Sequence, residues 1–257
     1  VNDFEPVSAW ACRLKNVPCI SLSHQSSLLS SKIPKPKKKD IIGSIILKHY
    51  APADYHYGFH FCNYDNNIYK PVIRKEIREL EVDDYGYYTV YLPSYDDAKL
   101  LNILSQFKNT RWQVFSKHNI RSFRNDNVVI YPISNERFTQ SLANCKGVLC
   151  GAGFETPAEA IYLGKKLLVV PMKDQLEQHY NAAALHDIGV PVIKNLKQKN
   201  HYKIQNWLDN DEVVKIDFPD ITDNVVNKLF EFYILKFQNR IVLNDKKKVD
   251  LIVSTIK

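Results

Sequence analysis

Apolar positions along this chain follow two rhythms. Over residues 18–23 and 55–61 they run together or alternate as in strands, whereas 7–14 and 41–50 carry the three-to-four-residue spacing of helices. From residue 87 the alternation becomes regular. Apolar runs at 87–92, 112–116, 128–131, 147–150 and 166–170 predict strands, and helical spacing at 96–107, 135–144, 157–163 and 175–188 fills most of the intervals. Gly164 and Gly189 stop the last two of these helices, a final apolar run at 190–193 closes the series, and residues 225–237 read as one more helix. Strands separated by helices of this length require right-handed crossovers and a parallel sheet covered on both faces. The expected class is therefore α/β, with a Rossmann-like half in the later part of the chain.

Chemistry concentrates at two turns of that half. After the apolar run 147–150 come Gly151, Ala152 and Gly153, then Thr156 as an N-cap, Pro157 at the first helical position and Glu159 completing a capping box. Two glycines let the backbone approach a ligand closely. Unpaired amides and the positive end of the helix dipole then favour a phosphate. The plainer reading also stands: Glu159 closes its box and the glycines shape a turn. After the run 166–170, Asp174, Gln175, Glu177, Gln178 and Asn181 crowd the start of the next helix. Both turns fall at the carboxyl edge of a parallel sheet, where such folds bind ligands, so one suits phosphates and the other a hydroxylated group.

The run Gly151 to Glu159 fits G-x-G-[FS]-x-[ST]-x-x-E, and Glu177 to Ala182 fits [DE]-Q-x-x-N-A. Together they resemble the donor half of two-Rossmann-domain (GT-B) glycosyltransferases, the group that includes the peptidoglycan GlcNAc transferase and its relatives. The resemblance implies that Gly151, Gly153, Phe154, Glu155 and Thr156 surround a diphosphate and that Glu159 takes the ribose. It assigns the sugar to Asp174, Gln175, Gln178 and Asn181, the phosphates also to Ser94, and the base to the backbone at Ile133. The D-F-E-P segment at 3–6 and the His24-Gln25 pair resemble the later part of the amino-terminal domain. Nothing precedes them that matches that domain's opening, so the fold class implied is α/β with two Rossmann-like domains (GT-B type), the first one incomplete. The domains expected are 1–75 (acceptor side), 76–240 (nucleotide-sugar binding) and a tail, 241–257.

Asp3 and Glu5 read either as groups that cap the helix at 7–14 or as carboxylates in an interdomain cleft, available as a base toward an acceptor hydroxyl. His24, at a strand end, is open between a structural and a catalytic role. The function implied by the resemblance is transfer of a sugar from a UDP-sugar to the hydroxyl of an acceptor saccharide or lipid-linked acceptor, with no cofactor and no metal. A nucleotide-sugar-binding half that lacks catalysis and needs a partner is one alternative. A nucleotide-sugar epimerase, which would act without an acceptor, is another.

Composition narrows the partners. A chain of 257 residues, 45% hydrophobic, buries a substantial core, and no apolar run is long enough to span a bilayer. No secretion leader is recognisable, and five cysteines without paired spacing suit reduced thiols in the cytoplasm. Net charge is +7 and the isoelectric point about 9.0, which favours anionic partners. Lys35, Lys37, Lys38 and Lys39 form the densest basic run, either a solvated loop or a contact to an anionic membrane surface at the inner face. No nucleic-acid recognition motif is present, so no nucleic-acid partner is expected. Asp209-Asn210-Asp211 spells D-x-D but reads as a polar turn, and Lys246 to Lys248 as solvated.

Overall fold

The computed structural model describes residues 1–37 and 40–237. Lys38, Lys39, the expected tail 241–257 and the lysines at 246–248 lie outside the described residues. The chain divides into two compact units, Val1–Phe218 and Pro219–Lys257. In the second, residues 222–237 are helical. The first unit holds two sheets, one wholly and one mostly parallel.

The smaller sheet has the order β1-β2-β3, with β1 at Ile20–Ser23, β2 at Tyr55–Phe59 and β3 at Ile68–Tyr69. Helix α1, Pro6–Leu14, precedes it. Pro6 sits in the first turn, and the Glu5 carboxylate accepts from the Val7 and Ser8 amides at 2.7 Å each, so the capping alternative holds for Glu5. His24 and Gln25 open a short helix, α2 (His24–Ser27), instead of ending the strand, because the Ser23 hydroxyl caps it by accepting from the Ser26 amide at 3.1 Å. A Cβ at Gly58 would lie 2.5 Å from the Ser27 amide nitrogen, so glycine in β2 lets α2 settle directly on the sheet. Helix α3, Ile41–His49, is capped by Asp40, and α4, Lys75–Arg78, lies in the crossover to the larger sheet.

That sheet has the order β6-β7-β5-β4-β8-β9, all parallel except β6. Its strands are β4 Tyr87–Tyr91, β5 Arg111–Ser116, β6 Phe123–Asn125, β7 Val128–Pro132, β8 Gly147–Cys150 and β9 Lys166–Val169. The helices are α5 Asp97–Leu104, α6 Asn135–Asn144, α7 Glu155–Tyr162, α8 Leu176–Asp187 and α9 His201–Asp209. Successive residues of β8 and β9 feed opposite faces. Val148, Cys150, Leu167 and Val169 join one core cluster, and Leu149, Leu168 and Val170 the other. The chain winds from β4 to β5 and β7 on one side, then crosses to β8 and β9 on the other, which puts the reversal point between β4 and β8.

In and beside the larger sheet the structure differs from expectation in several places. The apolar run 190–193 makes one bridge, Val169 to Val192, and no strand, since Pro191 has no amide to extend the ladder. Helix α7 begins at Glu155, two residues before the expected start, with Phe154 as an N-cap that makes no side-chain bond. Thr156 and Glu159 therefore form no capping box, and Pro157 falls at the third helical position, whose amide has no helical acceptor in any case. Helix α9 and the hairpin strand β6 were not anticipated. The hairpin turns at Asp126, where φ is +53°.

Candidate functional site

The carboxyl ends of β1 and β2 face the start of α7 across a cleft of about 440 Å3. It is lined by Asp3, Leu22, Ser23, His24, Gln25, Phe59, Gly153, Phe154, Glu155, Thr156 and Glu177. Residues from the opening D-F-E-P segment and from the glycine turn, far apart in the chain, thus share one wall-to-wall space. Among the described residues, the amides of Gly153 to Thr156 donate to no backbone or side-chain acceptor. They are the free donors of the first turn of α7, and their dipole end is positive. A Cβ at Gly153 would meet no atom within 4 Å, so glycine there keeps the approach to these amides open. Asp3 is exposed.

Two α8 side chains brace the glycine turn from behind. Gln178 Oε1 accepts from the Ala152 amide at 3.2 Å and the Met172 amide at 2.9 Å, tying the turn after β8 to the turn after β9. Asn181, fully buried, donates from Nδ2 to the Ala152 carbonyl at 3.1 Å. Its Oδ1 faces His24 Nε2 at 2.8 Å. Both ends of the Asn181 amide, expected to meet the sugar, are thus engaged with protein in this structure.

Glu159, expected to take the ribose, is likewise engaged with protein. It is 4% exposed and accepts a 2.8 Å bond from Arg74 Nε, whose Nη1 also reaches Asn135 Oδ1 at 3.2 Å. Burial pushes the Glu159 pKa up, and Arg74 pulls against it. Its carboxylate ties α7 to Arg74 of the crossover segment. Glu5 is held by the Ser8 hydroxyl and the two capping amides, which keep its pKa below the usual carboxylate value, and it does not line the cleft.

Ser94, Ile133, Gly151, Asp174 and Gln175 do not line the cleft. Ser94, after β4, and Ile133, after β7, lie at the carboxyl edge of the larger sheet, and the Ile133 side chain is 48% exposed. Gly151 follows β8, with its amide bonded to the Tyr91 carbonyl at 3.2 Å. Asp174 and Gln175 are exposed at the start of α8. Phe154 stacks on His24 with ring centroids 4.0 Å apart and planes 10° apart. Asp211 of the D-x-D pairs with Lys146 at 3.2 Å and Lys166 at 3.5 Å.

Sequence reasoning named Gln25 and Glu177 but assigned neither a role in the site. Gln25 Nε2 donates to Glu177 Oε2 at 3.1 Å, linking α2 to α8 at the floor of the cleft. The spacing of Glu177 and Asn181, one helical turn apart, was the available signal that this α8 face meets the first sheet. Arg74 gave no local signal at all.

Residues 1–211 match the model of glycosyl transferase family 1. Similar solved structures include spinosyn forosaminyltransferase SpnP, at 13% identity over 91% of this chain and 73% of that one, with a TM-score of 0.47. MurG of Acinetobacter baumannii shares 18% identity over 79% and 61%, TM-score 0.46, and spinosyn rhamnosyltransferase SpnG complexed with thymidine diphosphate 12% over 79% and 60%, TM-score 0.43. No curated protein matches. The chain thus spans 60% to 73% of the length of these three structures. With the match covering both sheets and the cleft between them, the chain belongs to glycosyl transferase family 1.

Proposed function

We propose that this chain transfers a sugar from a UDP-sugar to an acceptor hydroxyl in the cleft between its two sheets. One observation carries the reading: Asp3 and the unpaired amides of Gly153 to Thr156 line the same 440 Å3 space. In a displacement reaction the diphosphate leaves as negative charge builds on it, and fixed amide donors lower the barrier by stabilising that charge. Asp3 takes the proton of the attacking hydroxyl. Ser94 and the backbone at Ile133 extend the nucleotide site along the sheet edge, and Asp174, Gln175 and Gln178 contact the sugar. Residues 1–75 form the acceptor side and 76–240 the donor side.

The acceptor is lipid-linked in this proposal, and the protein works at the inner face of a membrane. Lys35 and Lys37 are exposed, and α3 beside them turns Ile41, Ile42, Ile45 and Ile46 to solvent at 55–72% exposure. Among the described residues no helix is long and apolar enough to cross a membrane, so contact would be peripheral.

Asp3→Asn tests the assignment of roles. UDP affinity stays within about twofold of the parent while transfer, followed as UDP release with a lipid-linked acceptor, falls at least about 100-fold. Unchanged turnover in the variant would remove Asp3 as the base.

A further inference from the structure

His24 cannot serve as a base in this arrangement, since a base must aim a free nitrogen lone pair at the substrate. Its Nδ1 lies 2.8 Å from the Phe59 carbonyl oxygen and its Nε2 2.8 Å from Asn181 Oδ1, and both oxygens only accept. The Asn181 amide cannot turn over without facing Oδ1 toward the Ala152 carbonyl, to which Nδ2 now donates. Phe154 covers one face of the imidazole and His60 meets it edge-on at 5.2 Å. Both bonds form together only on the protonated ring, which carries N–H on each nitrogen and has Glu177 Oε1 3.8 Å from Nε2; that ring is a spacer with both ends tied. Burial pulls its pKa down, while Glu177, the Phe59 carbonyl and Asn181 pull upward. His60 is held neutral, its pKa pushed down to about 3 chiefly by burial.

The bonds form one line from the smaller sheet to the glycine turn: Phe59 carbonyl, His24, Asn181, Ala152 carbonyl. Ala152 sits between Gly151 and Gly153, so holding its carbonyl sets the direction in which the following amides point. We infer that His24 is a positioning residue for the donor, acting through Asn181 to fix the glycine turn whenever the end of β2 is seated against α8. The assembly of the anion site is then coupled to the meeting of the two sheets. This rests on the proposed nucleotide site for its consequence, although not for its geometry.

Two readouts separate those parts. Hydrogen exchange of the full chain follows the Gly151 and Ala152 amides, which are bonded to the Tyr91 carbonyl and Gln178. In His24→Gln and in Asn181→Leu these amides exchange at least about tenfold faster than in the parent, while core strand amides are unchanged. Exchange at the parent rate in both folded variants overturns the inference whether or not the chain binds a nucleotide. Calorimetry with UDP then reads the consequence. Each variant loses about tenfold in affinity and the double variant loses no more than either alone, as expected for one coupled unit. Additive losses, or full UDP affinity with turnover alone abolished, would overturn it in favour of separate roles.

Discussion

At the scale of single residues, the site is built from side chains that hold backbone in place more than from side chains offered to a ligand. Asn181 and Glu159 are used in this way, and so is Oε1 of Gln178. Each buries a polar group whose partner is protein, and a buried polar group left without its partner is costly. Arg74→Ala leaves the Glu159 carboxylate buried without its ion partner. Because Arg74 is partly exposed, the loss is smaller than for a fully buried pair, about 2 kcal/mol by chemical denaturation, and Glu159→Gln, which can still bond, loses less. Equal stability of parent and Arg74→Ala would show the pair to be incidental. The residue types at 151–159 were legible from the chain, and so was the openness at Gly153. The destinations of Glu159 and Asn181 were not, because their partners Arg74 and His24 stand 85 and 157 positions away and no local pattern encodes such a pairing.

Among the elements, strands of the larger sheet were readable from apolar runs, since burial on both faces leaves them almost wholly hydrophobic. The ends of helices were less so. Thr156, Pro157 and Glu159 spell a capping box, yet α7 starts earlier because Glu159 is drawn inward by Arg74 and Phe154 is pinned against His24. Pro157 tolerates both registers, so it could not arbitrate. Helix α3 matches its expected span but not the usual use of an apolar face: none of its residues is buried. Four exposed isoleucines beside a basic run have the composition of an interfacial helix. Vesicles containing anionic lipid should therefore retain the parent in flotation and release it with Ile42→Glu/Ile45→Glu, whereas neutral vesicles retain neither. Retention of the double variant equal to the parent would remove α3 from the proposed lipid contact.

For the molecule as a whole, the informative fact is where the two sheets meet. The parallel strands of each sheet offer their carboxyl edge, so the cleft gathers strand ends and one helix start, and these are the places where backbone donors and polar side chains remain free. The order of elements made the parallel βα core of the larger sheet predictable, whereas its strand order, with the reversal between β4 and β8, came from the structure. The small sheet was less legible, because β3 has two residues and α2 has four, below the length at which periodicity is visible. Which residues face one another across the cleft follows from the seating of α2 on β2 and α8 on the glycine turn, a tertiary arrangement that sequence spacing does not contain.

The central claim is that the amides opening α7 receive the diphosphate of the donor. Calorimetric titration of the folded chain with UDP, with GDP and ADP as controls, tests it most directly when set beside Gly153→Val. That side chain meets no protein atom at its Cβ and projects where the cleft is open, so stability is kept while access to the amides is lost. The account predicts UDP-selective binding by the parent, weakened at least about tenfold in the variant at unchanged Tm. Absence of UDP binding by the parent, or equal affinity in both proteins, would contradict it.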